Sequence, residues 1–232
     1  MSLLQTVVYR SSQRSMRIRT FFHTLAHQLE MLLLSGYHKD PQIISLIKRV
    51  KRETDMAVTA GEAYTVYSLA RVQRELDGEM AEVGVYKGGT ARLICEVKGS
   101  VPLHLFDTFQ GLPEPSEQDE DFFQKGWYAG ELERVRDYLK RYENVFFYAG
   151  AFAETAAAVS DRVFSFVHLD VDLYQSALEC LEFFYPRLQV GGVLLGHDYQ
   201  MPGARKAYTE YLTAAGVRLI ELANSQCLVI KM

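Results

Sequence analysis

A mixed, doubly wound α/β sheet is the fold predicted for these 232 residues. Three observations predict it. Short β-branched and aromatic runs alternate with helix-length amphipathic stretches, which implies parallel strands joined by right-handed crossovers. A glycine-bearing strand-to-helix junction, Glu82-Val83-Gly84-Val85-Tyr86-Lys87-Gly88-Gly89-Thr90, follows the first of these runs. The chain then closes on two β-like runs, VRLIEL and QCLVIKM, with turn residues Asn224-Ser225 between them, so this last pair must be antiparallel.

Taken in order, FFHTLAHQLEMLLL (residues 21 to 34) places apolar residues at helical spacing, and Ile43 to Val50 repeats the pattern after the Asp40-Pro41 turn. A third helix is predicted from Gly61 to Glu75, ending at Asp77-Gly78. The period then changes. Residues 79 to 84 read as a strand, 90 to 97 as a helix, and 101 to 107 as a strand ending on Asp107. A long polar stretch, 107 to 130, carries five acids within 114 to 121, and Phe122, Phe123, Trp127 and Tyr128 beyond them. It is either a lid over a site or a solvated excursion. Helix is expected again at 131 to 142, 154 to 159, 173 to 188 and 204 to 214, with strands at 144 to 148, 164 to 169 and 192 to 196, the last after a break at Gly191-Gly192. Asp172 and Gln175 have the spacing of a capping box for the helix that follows them.

Charge divides the chain. Residues 1 to 52 carry nine Lys or Arg against two acids, while the whole protein has a formal charge of -4. Residues 1 to 60 are therefore set apart as a basic helical segment, including Arg10, Arg14, Arg17 and Arg19, and 61 to 232 as the main domain. The segment is expected to cover a site, to form a homodimer interface, or to lie on anionic membrane. The acidic remainder gives no footprint for nucleic acid. Cys95, Cys180 and Cys227 form no C-x-x-C pair, and no apolar run is long enough to span a bilayer, so a cytoplasmic protein is expected.

Two constellations carry chemistry. Glycines at a strand-to-helix turn let a ligand approach backbone at the helix N-terminus, and Glu82 before Gly84 can attract a cationic amino acid or sulfonium. Asp107, 23 residues beyond Gly84 and at the next strand end, is placed for ribose hydroxyls or is a turn aspartate. Phe152 either flanks an adenine or belongs to the core. The second constellation is Asp170 at the end of the fourth strand with His197-Asp198 at the end of the fifth. If the two strands are adjacent, these three side chains converge and can hold a divalent cation with positions left for substrate oxygens. His168 is expected to satisfy a buried hydrogen bond.

EVGVYKGGT (82 to 90), DTFQGLP (107 to 113), HLDVDLYQSALECLEFFYPRL (168 to 188) and GGVLLGHDY (191 to 199) together resemble the macrocin O-methyltransferase family, from about Glu53 to the C-terminus. The resemblance implies a seven-stranded Rossmann-like sheet, S-adenosylmethionine as cofactor, and a magnesium site. It implies that Glu82 and Gly84 line the methionine end, with Tyr86, Gly88, Thr90, Thr108, Phe152 and Asp170 in the cofactor set, Asp107 on the ribose, and Asp170 and Asp198 on the metal. Family members usually have two aspartates where this chain has His197-Asp198. An imidazole there favours manganese or another transition metal, or makes His197 a general base. The expected reaction is methylation of a sugar hydroxyl on a small molecule, with Asp170 or His197 taking the proton. An NAD(P)-dependent oxidoreductase shares the sheet but wants a G-x-G-x-x-G spacing absent here, and an inactive S-adenosylmethionine-binding protein is the remaining alternative.

Overall fold

The computed structural model describes residues 16–232, with side chains from Thr20 onward. Arg10 and Arg14 of the basic segment, and the side chains of Arg17 and Arg19, lie outside the described residues.

Three helices lead in: α1 (Met16–Gly36), α2 (Pro41–Thr54) and α3 (Ala60–Gln73). The start of α2 follows from its sequence. Asp40 accepts a 2.8 Å hydrogen bond from Gln42 N, Pro41 occupies the first turn where no N–H is needed, and Lys51 and Arg52 face the negative end. Ile43, Leu46, Ile47 and Val50 form its buried stripe and pack with Leu34, Met56, Ala60, Ala63 and Leu93. On α1 a second stripe faces outward, with Phe21, Leu25, Leu29 and Leu32 all exposed.

The sheet contains β1 (Glu79–Val83), β2 (Leu103–Asp107), β3 (Val145–Ala149), β4 (Phe164–Leu169), β5 (Leu188–Gly196), β6 (Ile220–Glu221) and β7 (Cys227–Ile230). Its order is β3-β2-β1-β4-β5-β7-β6, parallel throughout except for β7 against β5 and β6. The helices between them are α4 (Gly89–Cys95), α5 (Leu132–Leu139), α6 (Phe152–Thr155, continued by a 3-10 turn to Val159), α7 (Tyr174–Arg187) and α8 (Pro202–Ala214). The predicted seven-stranded mixed sheet is the one observed. Side chains alternate across it: Ala81, Val83, Val167, Leu169 and Leu194 face α7 and α8, while Met80, Leu105, Phe166, Val193 and Leu195 face α3 and α4. Strand order reverses between β1 and β4, which opens a crevice at their carboxyl ends.

Two local expectations are corrected, and a third that was left open gains an anchor. The fifth strand begins at Leu188 rather than after Gly191-Gly192, because Gly191 takes φ 81 and lets the strand bulge opposite a register shift at Phe164/Phe166. Asp172 is not the N-cap residue of α7. Its own φ is 59, the cap position falls on Leu173, and the Tyr174 N–H donates to Asp119 Oδ1 at 2.7 Å. The stretch 108 to 130 is anchored to the body of the protein, although many of its residues stay exposed. Leu112 and Phe123 are buried against Leu173, with Phe122, Trp127, Tyr128 and Met201 packed around them. No helix among the described residues is long and apolar enough to cross a membrane.

Candidate active site

The sheet ladder runs one residue past β1, β4 and β5 and so fixes where the site begins. Gly84 N donates to Phe106 O, Asp170 N to Val83 O, and His197 N to Leu169 O, at 2.8–2.9 Å. Asp170 and His197 thus leave neighbouring strand ends side by side. Asp198 follows with φ 57, and Tyr86, after the first strand, has φ 51. Left-handed backbone at non-glycine residues costs energy and collects where a site dictates geometry.

These ends open into one cavity of about 730 Å³. Gly84, Tyr86, Asp107, Thr108, Phe152, Asp170, His197 and Asp198 all line it, so eight of the sequence-predicted residues come together. Glu82, Gly88 and Thr90 do not. Glu82 is fully buried, and its Oε1 is 2.8 Å from His168 Nδ1 inside the sheet. Burial pushes its carboxyl up, opposed by bonding to His168 and Thr90. The buried role expected of His168 is therefore observed, and it occupies the carboxyl that was expected at a cofactor's methionine end. Gly88 holds the N-terminal cap of α4 at φ 78.

Asp107 acts as a turn aspartate and also lines the cavity. Oδ2 accepts from Val85 N and Tyr86 N at 2.7 and 2.8 Å, and Oδ1 accepts from Phe109 N at 2.6 Å. The side chain ties the first two loops together and still faces the cavity. Burial raises its carboxyl against those three N–H donors. A carboxylate has about four acceptor sites, so one remains for a ligand hydroxyl. Phe152 likewise lines the cavity while its ring meets Phe106 edge-on at 5.3 Å.

His197 is the hub of the other half. Nδ1 lies 3.1 Å from Asp170 Oδ1 and 3.0 Å from Asp198 Oδ2, and Nε2 lies 3.3 Å from Glu62 Oε2 and 3.1 Å from Ser225 Oγ. Burial works against its charge, yet Asp170, Asp198 and Glu62 outweigh burial and hold the imidazole well above its ordinary value. The same neighbourhood lowers Asp170 and Glu62, where burial is overcome by His197.

Asp170, His197 and Asp198 each offer a donor atom within 4.8 Å of the others. Three carboxylates around one imidazolium leave two negative charges uncompensated at close range. Two carboxylates and an imidazole suit manganese, iron, nickel or zinc better than magnesium, so the donor set fits a divalent cation.

Glu62 and Ser225 were not foreseen. Thr59-Ala60-Gly61-Glu62 has the pattern of a helix start, and Thr59 N does donate to Glu62 Oε2 at 2.7 Å. That signal accounts for Glu62 locally and conceals its second partner. Thr20, His23 and Thr24 of α1 also line the cavity. His23 and His27 are both lowered to about 4, by burial first and then by the charge of Lys51. Their folded values lie below the unfolded value, so the stability they contribute is present above pH 6.5 and is lost as pH falls toward 4. Thermal melts should show Tm falling between pH 6.5 and 4.5, with a shallower slope in His27→Leu; an unchanged slope would contradict this.

The macrocin O-methyltransferase (TylF) family model matches residues 66–222. A Streptomyces olivaceus protein named 8-demethyl-8-(2,3-dimethoxy-alpha-L-rhamnosyl)-tetracenomycin-C 4'-O-methyltransferase is 29% identical, the match covering 60% of this chain and 60% of that protein. Demethyldecarbamoylnovobiocin O-methyltransferase of Streptomyces niveus is 27% identical with the same two coverages. The match thus spans about three fifths of these relatives' length. Among solved structures, the O-methyltransferase NovP superposes with a TM-score of 0.67 at 22% identity, covering 76% of this chain and 82% of that one, which bears on the fold alone. The family model spans well over half of the sequence, including all of β1 to β5 with Asp170, His197 and Asp198, and the chain belongs to the macrocin O-methyltransferase family.

Proposed function

We propose that this protein transfers a methyl group from S-adenosylmethionine to a hydroxyl of a sugar carried by a small molecule. The observation that carries the reading is the position of Asp170, which lines the crevice at the β1–β4 reversal and at the same time touches His197. Cofactor half and acceptor half of the cavity meet at this carboxylate. The tetracenomycin relative is named for O-methylation of a rhamnosyl compound, which supports a glycoside acceptor. A volume of about 730 Å³ is also within the range of roughly 300–1,000 Å³ common for small-molecule sites.

S-adenosylmethionine supplies a methyl carbon already activated by its positive sulfur. The protein's part is to orient the acceptor oxygen and receive its proton. Gly84 and Tyr86 line the β1 end of the crevice, Asp107 offers its remaining acceptor site to the ribose, and Phe152 offers a ring edge to the adenine. Asp170, His197 and Asp198 are the residues that would hold a divalent cation, whose positive charge would make a coordinated hydroxyl more acidic. Asp170 takes the proton at its carboxylate. Tyr128, Leu112 and Pro113 from the packed loop wall the cavity and exclude water from the reacting atoms.

The test is direct. Purified protein is incubated with S-adenosylmethionine and a panel of rhamnosides and related glycosides, and products are read by mass spectrometry. A methylated glycoside whose yield collapses with EDTA and returns with Mn²⁺ is expected. Methylation indifferent to EDTA would remove the metal from the proposal, and NADH-dependent oxidation or reduction of the panel without methyl transfer would overturn the reaction class.

A further inference from the structure

The family match begins at residue 66 and ends at residue 222, so it leaves Glu62 and Ser225 outside it. Both nevertheless reach the site. Glu62 is 4% exposed near the start of α3, and Ser225 sits in the turn between β6 and β7. Glu62 Oε1 accepts from Ser225 Oγ and from Ser225 N, the latter at 3.3 Å. Glu62 Oε2 accepts from Thr59 N and faces His197 Nε2, and Ser225 Oγ lies beside the same nitrogen. The backbone supports this arrangement further, since Tyr199 N donates to Ser225 O at 2.8 Å and Gln226 Nε2 to Glu62 O at 3.4 Å.

From these contacts we infer that Glu62, seconded by Ser225, is a positioning residue that fixes the ring of His197 and its proton. A carboxylate can only accept, so the nitrogen facing Glu62 must carry a hydrogen. That keeps Nε2 as N–H with or without a cation, and leaves Nδ1, which lies between Asp170 and Asp198, as the ring nitrogen that would give up its hydrogen when a cation binds. Imidazole ligands generally need such a carboxylate behind them to set tautomer and ring direction. In this chain the need arises because position 197 is histidine: an aspartate there has no second nitrogen to restrain. The negative charge of Glu62 also makes the imidazole a stronger donor of electrons to a cation.

The inference rests on the proposed metal-assisted reading, and its experiment separates the two. The full-length protein is labelled with ¹⁵N-histidine, and the His197 ring nitrogens are assigned by their loss in His197→Gln. Mn²⁺ and S-adenosylhomocysteine affinities are measured in parallel by calorimetry. In the wild type Nε2 should remain protonated before and after a diamagnetic cation, Zn²⁺, is added. In Glu62→Ala that preference should be lost and Mn²⁺ affinity should fall by about 10- to 100-fold, with S-adenosylhomocysteine binding retained. Glu62→Gln, which keeps an oxygen acceptor, should restore part of both. Nitrogen signals and Mn²⁺ affinity unchanged in Glu62→Ala would overturn the inference. If the wild type takes up no Mn²⁺, the metal reading fails alone, and the nitrogen signals decide: Nε2 protonation dependent on Glu62 upholds its role, and protonation independent of it refutes it. Should Glu62→Ala lose S-adenosylhomocysteine binding through misfolding, the Glu62→Gln signals and affinity decide in the same way.

Discussion

Asp170→Asn lowers methyl transfer by roughly 10³-fold, the scale on which a positioned proton acceptor contributes, and leaves S-adenosylhomocysteine affinity close to wild type. Asparagine matches aspartate in shape and keeps the backbone bond from residue 170 to Val83 O. It removes the negative charge that faces His197 Nδ1 at 3.1 Å, and its amide offers only one oxygen to a cation or a hydroxyl proton. The proposed cofactor half of the cavity, lined by Gly84, Tyr86, Asp107 and Phe152, is untouched. Steady-state rates with a glycoside acceptor and calorimetry with S-adenosylhomocysteine check the two halves separately. Equal loss of turnover and cofactor binding would mean that Asp170 serves the cofactor rather than the acceptor.

Gly84→Ala produces the largest loss of stability, about 4 kcal/mol or more, because two penalties coincide at one atom. The residue has φ 88, a conformation that side chains rarely adopt. A Cβ built there would stand 1.8 Å from Asp170 O and 2.7 Å from Asp170 C, which are backbone atoms held in the β1–β4 ladder. Neither can yield without parting the strands on which the site rests. For a domain of this size the loss corresponds to a fall in Tm of about 10 °C. Gly216→Ala is the control: φ there is 67 but nothing lies within 4 Å of the added carbon, so only the conformational cost of about 1 kcal/mol remains. Calorimetric melts of both variants decide the matter, and equal losses would show that close strand approach at Gly84 is not what selects glycine.

What the sequence disclosed about this molecule was what is encoded over short distances. β1 and its glycine junction, and the strand ends at Asp107, Asp170 and His197-Asp198, were legible because hydrophobic period and turn residues change within a few positions. Adjacency of β4 and β5 entered the sequence reading only as a condition; the structure meets it, and Asp170 and His197 come together. Misreadings arose where a residue has two plausible jobs. Glu82 looked like a cofactor contact since it precedes Gly84, yet alternation along β1 turns it under the sheet toward His168. Asp172 carried the spacing of a cap, but its left-handed backbone moves the helix start to Leu173. Glu62 and Ser225 could not be found by spacing at all. They are 163 positions apart, and each reaches His197 only through the packing of α3 and the β6–β7 turn over the ends of β4 and β5.

The packed aromatic loop shows the same limit. Five acids within 114 to 121 read as surface, and several of those residues are exposed, while Asp119 is spent on Ser116 N and Tyr174 N. Leu112 and Phe123 supply the burial that anchors the segment against Leu173. Composition records the acids and is silent about those anchors.

A crystal structure grown with S-adenosylhomocysteine and Mn²⁺, with anomalous data collected to locate manganese, tests the central geometry most directly. The expected density has the nucleoside at Asp107 in the β1–β4 crevice and a manganese peak bounded by Asp170, Asp198 and His197 Nδ1. Manganese absent from that cluster, with S-adenosylhomocysteine bound away from Gly84 and Asp170, would contradict a cavity built to bring an acceptor hydroxyl and a methyl donor together at Asp170.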